Sequence, residues 1–295
     1  MPTIEHRAVR DGRNVLTSPN ELMAFSTTVD GDMDPHEHDF LEIAVIAAGS
    51  GTHVTQSAAE PLSVGDVIVL RPGAWHEFRN CDRLVVYNCC IAMRLIGGEV
   101  AFVERDPAVN DLLVAGPLAG GKNGVAKSSL RGEALVGALR ELDALCAATV
   151  ESDGSRPTVA TLGRLIVAIA AIAHAVVRPS VRQASPHPPH PAALACRRLL
   201  EELYDHEWTL TELAATVHVA PEHLVRVFKH SVGIPPMAFL NRCRAERAAS
   251  LLIRTSLPVS EIGARTGWPD ASYFARSFRK AFGVSPTDYR RRFPR

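Results

Sequence analysis

Between residues 22 and 93 the apolar positions fall in short runs of β type. They lie at 41–48 (LEIAVIAA), 52–56 (THVTQ), 66–70 (DVIVL) and 83–91 (RLVVYNCCI). Gly49, Gly51, Gly65 and Gly73 punctuate them. Short strands with regular turns predict an all-β barrel or sandwich. From 130 to 151 the period changes. Leu135, Leu139, Leu142 and Leu145 recur at three and four, as on one helix face. Residues 158–177 predict a second, more uniformly apolar helix. Two helices this apolar need a large partner surface, either the β domain or a second copy of the chain.

Residues 178–191 read RPSVRQASPHPPHP, with proline at 179, 186, 188, 189 and 191. Proline cannot continue a helix or a central strand, so a semi-extended linker is predicted, and little packing should pass across it. Its histidines, His187 and His190, read as solvated linker residues. Beyond it the pattern is helical. Residues 192–206 are amphipathic, and Thr209 to Glu212 form a capping box, in which each side chain satisfies a free N–H at a helix start. Pro221, Pro236 and Pro286 stand where first-turn prolines belong. The domain organisation expected is 1–100 β, 101–178 a helical dimerisation segment, 179–191 linker and 192–295 helical. The fold class is α+β and multidomain.

The helical third contains an internal repeat. Residues 210–236 match 259–286: Leu224, Arg226, Phe228, Lys229, Gly233 and Pro236 align with Phe274, Arg276, Phe278, Arg279, Gly283 and Pro286. Each unit reads as a short helix, a tight turn and a longer helix, predicting helix–turn–helix units at 210–231 and 258–281. Such a unit places its second helix in the major groove. Leu224, Val227 and Phe228 form the inward stripe of the first long helix; Phe274, Ser277 and Phe278 form that of the second. Glu222, Val225, Arg226 and Lys229, and Ser272, Ala275, Arg276 and Arg279, then face outward. Arg226 and Arg276 occupy equivalent places, and a guanidinium can bond both O6 and N7 of guanine. His223, Lys229, Arg279, Lys280 and the arginines at 290, 291 and 292 suit phosphates. Residues 237–255 predict one long helix holding the units about one turn of DNA, roughly 34 Å, apart.

Charge supports this division. The chain of 295 residues has 32 basic and 32 acidic side chains, but residues 1–191 carry net −6 and residues 192–295 net +6. A basic third on an acidic remainder suggests a nucleic-acid module joined to something else. The six cysteines form no Cys-x-x-Cys pair, which points away from zinc ribbons and thioredoxin-like sites and toward reduced thiols. Adjacent Cys89 and Cys90 raise a weaker redox-switch reading. No signal peptide or membrane span is legible, and a cytoplasmic location is expected.

Residues 192–293 resemble the AraC/XylS DNA-binding domain, most specifically in IGARTGWPDASYFARSFRKAFGVSPTDYRRRF (262–293). The resemblance makes 221–230 and 271–281 the recognition helices. It implies base-facing roles for Glu222, Val225, Arg226, Ser272, Ala275 and Arg276. There are departures. His218 stands where the turn often has glycine, and Ala220 and Pro269 stand where a capping serine is common. Both recognition helices therefore lose an N-cap, with Asp270 compensating through the helix dipole.

Upstream, His36, His38 and Glu42 share parity, so a regular strand would put them on one face; Gly65 to Asn80 then brings His76. His-x-His-x3-Glu-x6-Gly resembles the first motif of the cupin barrel, and Pro-Gly-x2-His-x3-Asn the second, with Arg71 in place of a usual proline. Residues 36–54 resemble the sensory domain of rhamnose-type regulators in the AraC/XylS family. The resemblance implies a small effector, often a sugar, at His36, His38, Glu42 and His76. A metal at the same four residues is the alternative, since three imidazoles and a carboxylate suit a divalent transition ion. No cofactor is expected. The leading expectation is a DNA-binding transcriptional regulator, an activator controlled by a small molecule. Its partners would be double-stranded operator DNA, the effector, a second copy of itself and RNA polymerase, with no membrane. The rival is a metal-dependent cupin enzyme, or a metal or redox sensor, fused to a DNA-binding tail.

Overall fold

The computed structural model describes residues 21–119, 124–151, 156–177 and 187–292. Six antiparallel strands build the N-terminal part: β1 (Leu22–His36), β2 (Leu41–Thr55), β3 (Ala59–Leu62), β4 (Asp66–Leu70), β5 (His76–Ile91) and β6 (Val125–Ser129). Their order is β1-β5-β2-β4-β6, with β3 on the far half of β2. The runs expected at 41–48 and 52–56 are one strand. It bends where Gly49 takes a φ of +78°, against the β5 bend at Asn80 and Arg83, both also at positive φ. A Cβ on Gly49 would lie 2.2 Å from the Arg83 carbonyl oxygen, so only glycine fits this corner. The bend folds the sheet on itself. Glu42 pairs with Cys90, fourteen residues along β5 from His76, about 46 Å on a straight strand at about 3.3 Å per residue. Yet a Glu42 oxygen lies 3.6 Å from His76.

Two expectations are corrected here. The strand expected to run regularly from residue 36 is broken: His36 ends β1, His38 lies outside any strand, and Glu42 belongs to β2. The segment 101–178 is not wholly helical, because β6 pairs β4 from Val125 to Ser129 and widens the sheet. Around it lie α1 (Met93–Gly97), a 3-10 turn (Ala101–Arg105), α2 (Pro107–Asn110), a π-helical turn (Asp111–Ala115) and α3 (Gly116–Leu118). The two apolar helices follow, α4 (Glu133–Glu151) and α5 (Val159–Ala175). Leu142 and Leu145 of α4 and Leu165, Ile169 and Ile172 of α5 are buried in one cluster with the sheet.

The C-terminal part is all helix: α6 (Pro191–Glu202), α7 (Leu210–Thr216), α8 (Pro221–Val232), α9 (Pro236–Arg254), α10 (Val259–Arg265), α11 (Ala271–Phe282) and α12 (Pro286–Arg292). Both halves of the Thr209–Glu212 capping box form. The first recognition helix, α8, lacks a side-chain cap, as expected. The second does not: Asp270 is itself the N-cap of α11 and accepts a hydrogen bond from the Tyr273 N–H at 2.5 Å. His218 holds the turn between α7 and α8 at a φ of +57°, the place glycine takes at 267 in the second unit.

Packing between the parts overturns the expected loose tethering. The cluster that holds Leu41, Ile43 and Val45 continues through Leu112 and Leu113 into Leu200, Leu224, Phe228 and Phe239. A second cluster joins Trp75 of the β part to Leu252, Ile262, Trp268, Phe274, Phe278, Phe282 and Tyr289. Buried polar groups also pair across the boundary. Arg197 forks onto Glu104, and the Asn110 amide donates to the Ser231 carbonyl at 2.6 Å. The Arg71 guanidinium binds both oxygens of Glu246, which also accepts from Arg242 at 2.7 Å. Most of the expected linker, residues 178–186, lies outside the described residues. Among the described residues no helix is long and apolar enough to cross a membrane.

Candidate effector site and DNA interface

The folded sheet brings imidazoles from three segments together. His36 faces His76 in the β1–β5 register, their ring centroids 4.2 Å apart. His38 Nε2 and His76 Nε2 lie 2.9 and 3.6 Å from the same Glu42 oxygen. These three ligand atoms lie within 4.8 Å of one another, and all are buried. His38 and Glu42 pair with each other, whereas His76 Nε2 has no hydrogen bond. The opposite ring nitrogens are engaged. His38 Nδ1–H donates to the Phe40 carbonyl at 2.9 Å, which turns Nε2 toward Glu42. His76 Nδ1 shares a hydrogen bond with His53 Nε2 at 3.2 Å.

Sequence reasoning missed His53. Its signal was a lone histidine in the run at 52–56, meaningful only once the Gly49 bend carries that run back toward His76. Burial holds His76 well below the ordinary imidazole range, and the charges of His36, His53 and His38 add to this. Burial likewise lowers His53, to about 4, and His36. His38 goes the other way: burial opposes its charge, but the Glu42 hydrogen bond and carboxylate outweigh it. Four imidazoles around one carboxylate can hold a divalent transition ion or the hydroxyls of a polar molecule. Beside them a groove of about 560 Å³ is lined by His53, Ser57, Asp66, Lys127, Ser128 and Arg131, among others.

Cys89 and Cys90 are both buried, in separate clusters on opposite faces of β5. Burial raises both thiols far above the range in which thiolates form, which disfavours the redox-switch reading.

On the helical side, Glu222, Arg226, Lys229, Ser272, Arg276, Arg279 and Lys280 are exposed, while His223, Val225 and Ala275 are half-buried. Among the described residues neither Arg226 nor Arg276 forms a salt bridge. Arg226 donates to His223 at 2.9 Å, and the Arg276 guanidinium lies 5.9 Å from the Tyr273 ring centroid. Both are free to change partner. The arginines of α12 have partners of their own. Arg290 donates to the Leu252 and Leu257 carbonyls, Arg291 pairs with Asp288, and Arg292 stacks 3.8 Å from the Trp75 centroid. Arg290 is thereby held in the fold, while Arg291 and Arg292 remain exposed.

Two family models match the chain: an AraC-like ligand binding domain over residues 19–103 and a helix-turn-helix domain over residues 213–292. The chain belongs to the AraC/XylS family of transcriptional regulators. It is 25% identical to the HTH-type transcriptional activator RhaR of Mannheimia succiniciproducens, over 88% of this chain and 87% of that protein. It is 30% identical to the arabinose operon regulatory protein of Salmonella typhimurium, over 38% of this chain and 41% of that one. The crystal structure of ToxT from Vibrio cholerae O395 shares the fold, with a TM-score of 0.51 at 11% identity, covering 92% of this chain and 98% of ToxT. The regulator thus joins a ligand-binding β domain to a DNA-binding helical domain, and an effector controls its action on DNA.

Sequence reasoning missed what lies between the two. Glu37, Arg71, Gly73 and Trp75 all bear on α9, α11 or α12. The one signal was Arg71 itself, which replaces the usual proline of the second cupin motif. Its buried guanidinium is matched by Glu246, which periodicity alone places on an ordinary amphipathic helix.

Proposed function

We propose that this regulator is an activator working as a homodimer in the cytoplasm, and that its effector acts at His36, His38, Glu42 and His76. The observation that carries the site is the convergence of three buried ligand atoms, of which His76 Nε2 is left without a hydrogen bond. Buried polar atoms in that state are costly until something satisfies them. A small polar molecule entering from the groove beside His53 would do so with its hydroxyls. The relative named for the arabinose operon supports a sugar or related metabolite.

A second reading has its own support. The separations of 2.9 and 3.6 Å on Glu42 approach the spacing of ligands around an ion bound at about 2.0–2.2 Å. His38, Glu42 and His76 would hold a divalent transition metal, with His36 and His53 behind them. The ion would supply positive charge and a fixed geometry, a signal rather than a reaction.

On DNA, Glu222, Val225, Arg226, Ser272, Ala275 and Arg276 would read base edges, and His223, Lys229, Arg279 and Lys280 would bind phosphates. The working division is 1–100, 101–178, 179–191 and 192–295, with helix–turn–helix units at 210–231 and 258–281. The dimer would form through α4 and α5, where Val136, Val150, Val159 and Val167 are exposed. RNA polymerase is the expected partner of an activator. The deciding experiment incubates purified full-length protein with a sugar panel and separately with Zn²⁺ or Co²⁺. A thermal shift abolished by His38→Ala supports the site, and the ligand that produces it chooses between the readings. No shift with either class sinks the site assignment.

A further inference from the structure

The segments that carry the His–Glu site also carry the contacts to the second helix–turn–helix unit. Site residues and docking residues are direct chain neighbours. His38 points to Glu42, while Glu37 accepts a hydrogen bond from the Tyr289 hydroxyl of α12 at 3.0 Å. His76 points to Glu42, while Trp75 lies in the core of the second unit under the Arg292 guanidinium. Gly73 ties the two segments together: its N–H donates to the His38 carbonyl at 2.9 Å, and its carbonyl accepts from Tyr289 at 3.1 Å. Gly73 is also packed tightly, since a Cβ there would lie 2.7 Å from the Phe282 ring of α11. The first unit packs instead against 110–113: the Asn110 amide donates to the Ser231 carbonyl, and Leu112 and Leu113 share a core with Leu224 and Phe228.

We propose that occupancy of the His38–Glu42–His76 site by a divalent transition metal clamps α11 and α12, and so the second helix–turn–helix unit, onto the β domain. The proposal rests on the metal reading of the site given above. Its direction follows from the geometry. The docked arrangement already gathers the three ligand atoms, so an ion that binds them favours the docked state over any state in which segments 36–38 or 71–76 move. A ligand shifts an equilibrium only through such differential affinity. The coupling is reciprocal: weakening the dock must weaken the ion's binding by the same factor. The site would thereby set the position of one recognition helix against the other, the quantity that decides which pair of DNA half-sites can be reached.

The test titrates full-length protein with Co²⁺. Visible absorption of the bound ion reports binding, and peptide-level hydrogen exchange reports docking. In the wild type, Co²⁺ should slow exchange across residues 284–292 at least threefold and leave 210–232 unchanged. Tyr289→Phe keeps the ring in its core and removes only the hydroxyl. It should give the same Co²⁺ spectrum at severalfold weaker affinity, with faster exchange at 284–292. Circular dichroism checks that this variant folds. If it does not, Phe282→Leu, which loosens the α11 ring packed on Gly73 and should likewise weaken Co²⁺ binding, replaces it. Three results overturn the coupling while leaving the metal site standing: bound Co²⁺ with no change at 284–292, equal slowing in both units, or unchanged affinity in the variant. Absence of the Co²⁺ band in the wild type removes the metal reading and the clamp with it.

Discussion

Glu246→Ala isolates the charge network at the domain boundary. Glu246 is buried between two arginines: Arg71 from the β domain contacts both its oxygens at 3.0 and 3.2 Å, and Arg242 contacts one at 2.7 Å. Burial alone would raise its carboxyl, yet Arg71 and Arg242 hold it below the usual range. Removing the carboxylate leaves two positive charges in a desolvated boundary. Arg71 is 1% exposed; Arg242 keeps contacts to the Pro72 and Ala281 carbonyls at 3.4 and 3.5 Å. Breaking a buried pair in this way costs about 3–5 kcal/mol. At about 2–3 °C per kcal/mol for a unit of this size, the melting temperature should fall by roughly 6–15 °C. Differential scanning calorimetry of the full chain measures this. Replacing all three with apolar residues of similar volume (Arg71→Met, Arg242→Met, Glu246→Leu) should recover most of the loss, because no charge is then stranded. A fall under about 1 kcal/mol for Glu246→Ala would mean that water reaches the network and that the boundary is not packed as described.

The same group predicts a pH response. Because its folded pKa is depressed, Glu246 contributes stability that is present above the ordinary carboxylate value, about 4.3, and is lost as pH falls through the lower folded value. Glu246→Gln should flatten that part of the acid limb in denaturation curves taken from pH 6 to pH 3; a curve parallel to the wild type would refute the assignment. Arg226→Ala and Arg276→Ala should each weaken specific DNA binding by about 1–3 kcal/mol and relax base preference at separate positions. Uniform weakening of all sequences, with a flatter salt dependence, would reassign them to phosphates. His38→Ala and Glu42→Ala should abolish the effector response while leaving basal DNA binding near wild type; an unfolded β domain would make them scaffold instead. The full-length protein should sediment as a dimer at micromolar concentration, and a strict monomer with or without effector would remove α4 and α5 from the dimer interface.

The helical third was legible because its signals are local. Apolar period, first-turn prolines, the Thr209–Glu212 box and the duplicated Arg-x-Phe depend on residues within a turn or two of one another, and α7, α8, α10 and α11 form where they were expected. The turn conformation of His218 was legible for the same reason. The side chains named from the sequence at 36, 38, 42 and 76 also lie together in the fold. The reason offered for it did not hold. Strand parity fails when the strand is interrupted, and the residues meet because the bend at Gly49 folds one half of the sheet over the other. That fold-over also brings in His53, which no spacing rule reaches. Long-range pairing decided the rest. Residues 125–129 carry too weak an alternation to declare a strand, and became β6 because β4 had an open edge. Arg71 and Glu246 are 175 positions apart, and neither is unusual in its own segment. A buried charge is costly alone and tolerable only against its partner. The sequence by itself thus determined the two kinds of domain. Only the tertiary structure decided that Glu37, Gly73 and Trp75 join the β domain to the second helix–turn–helix unit and α12, because that junction exists only when both surfaces are present.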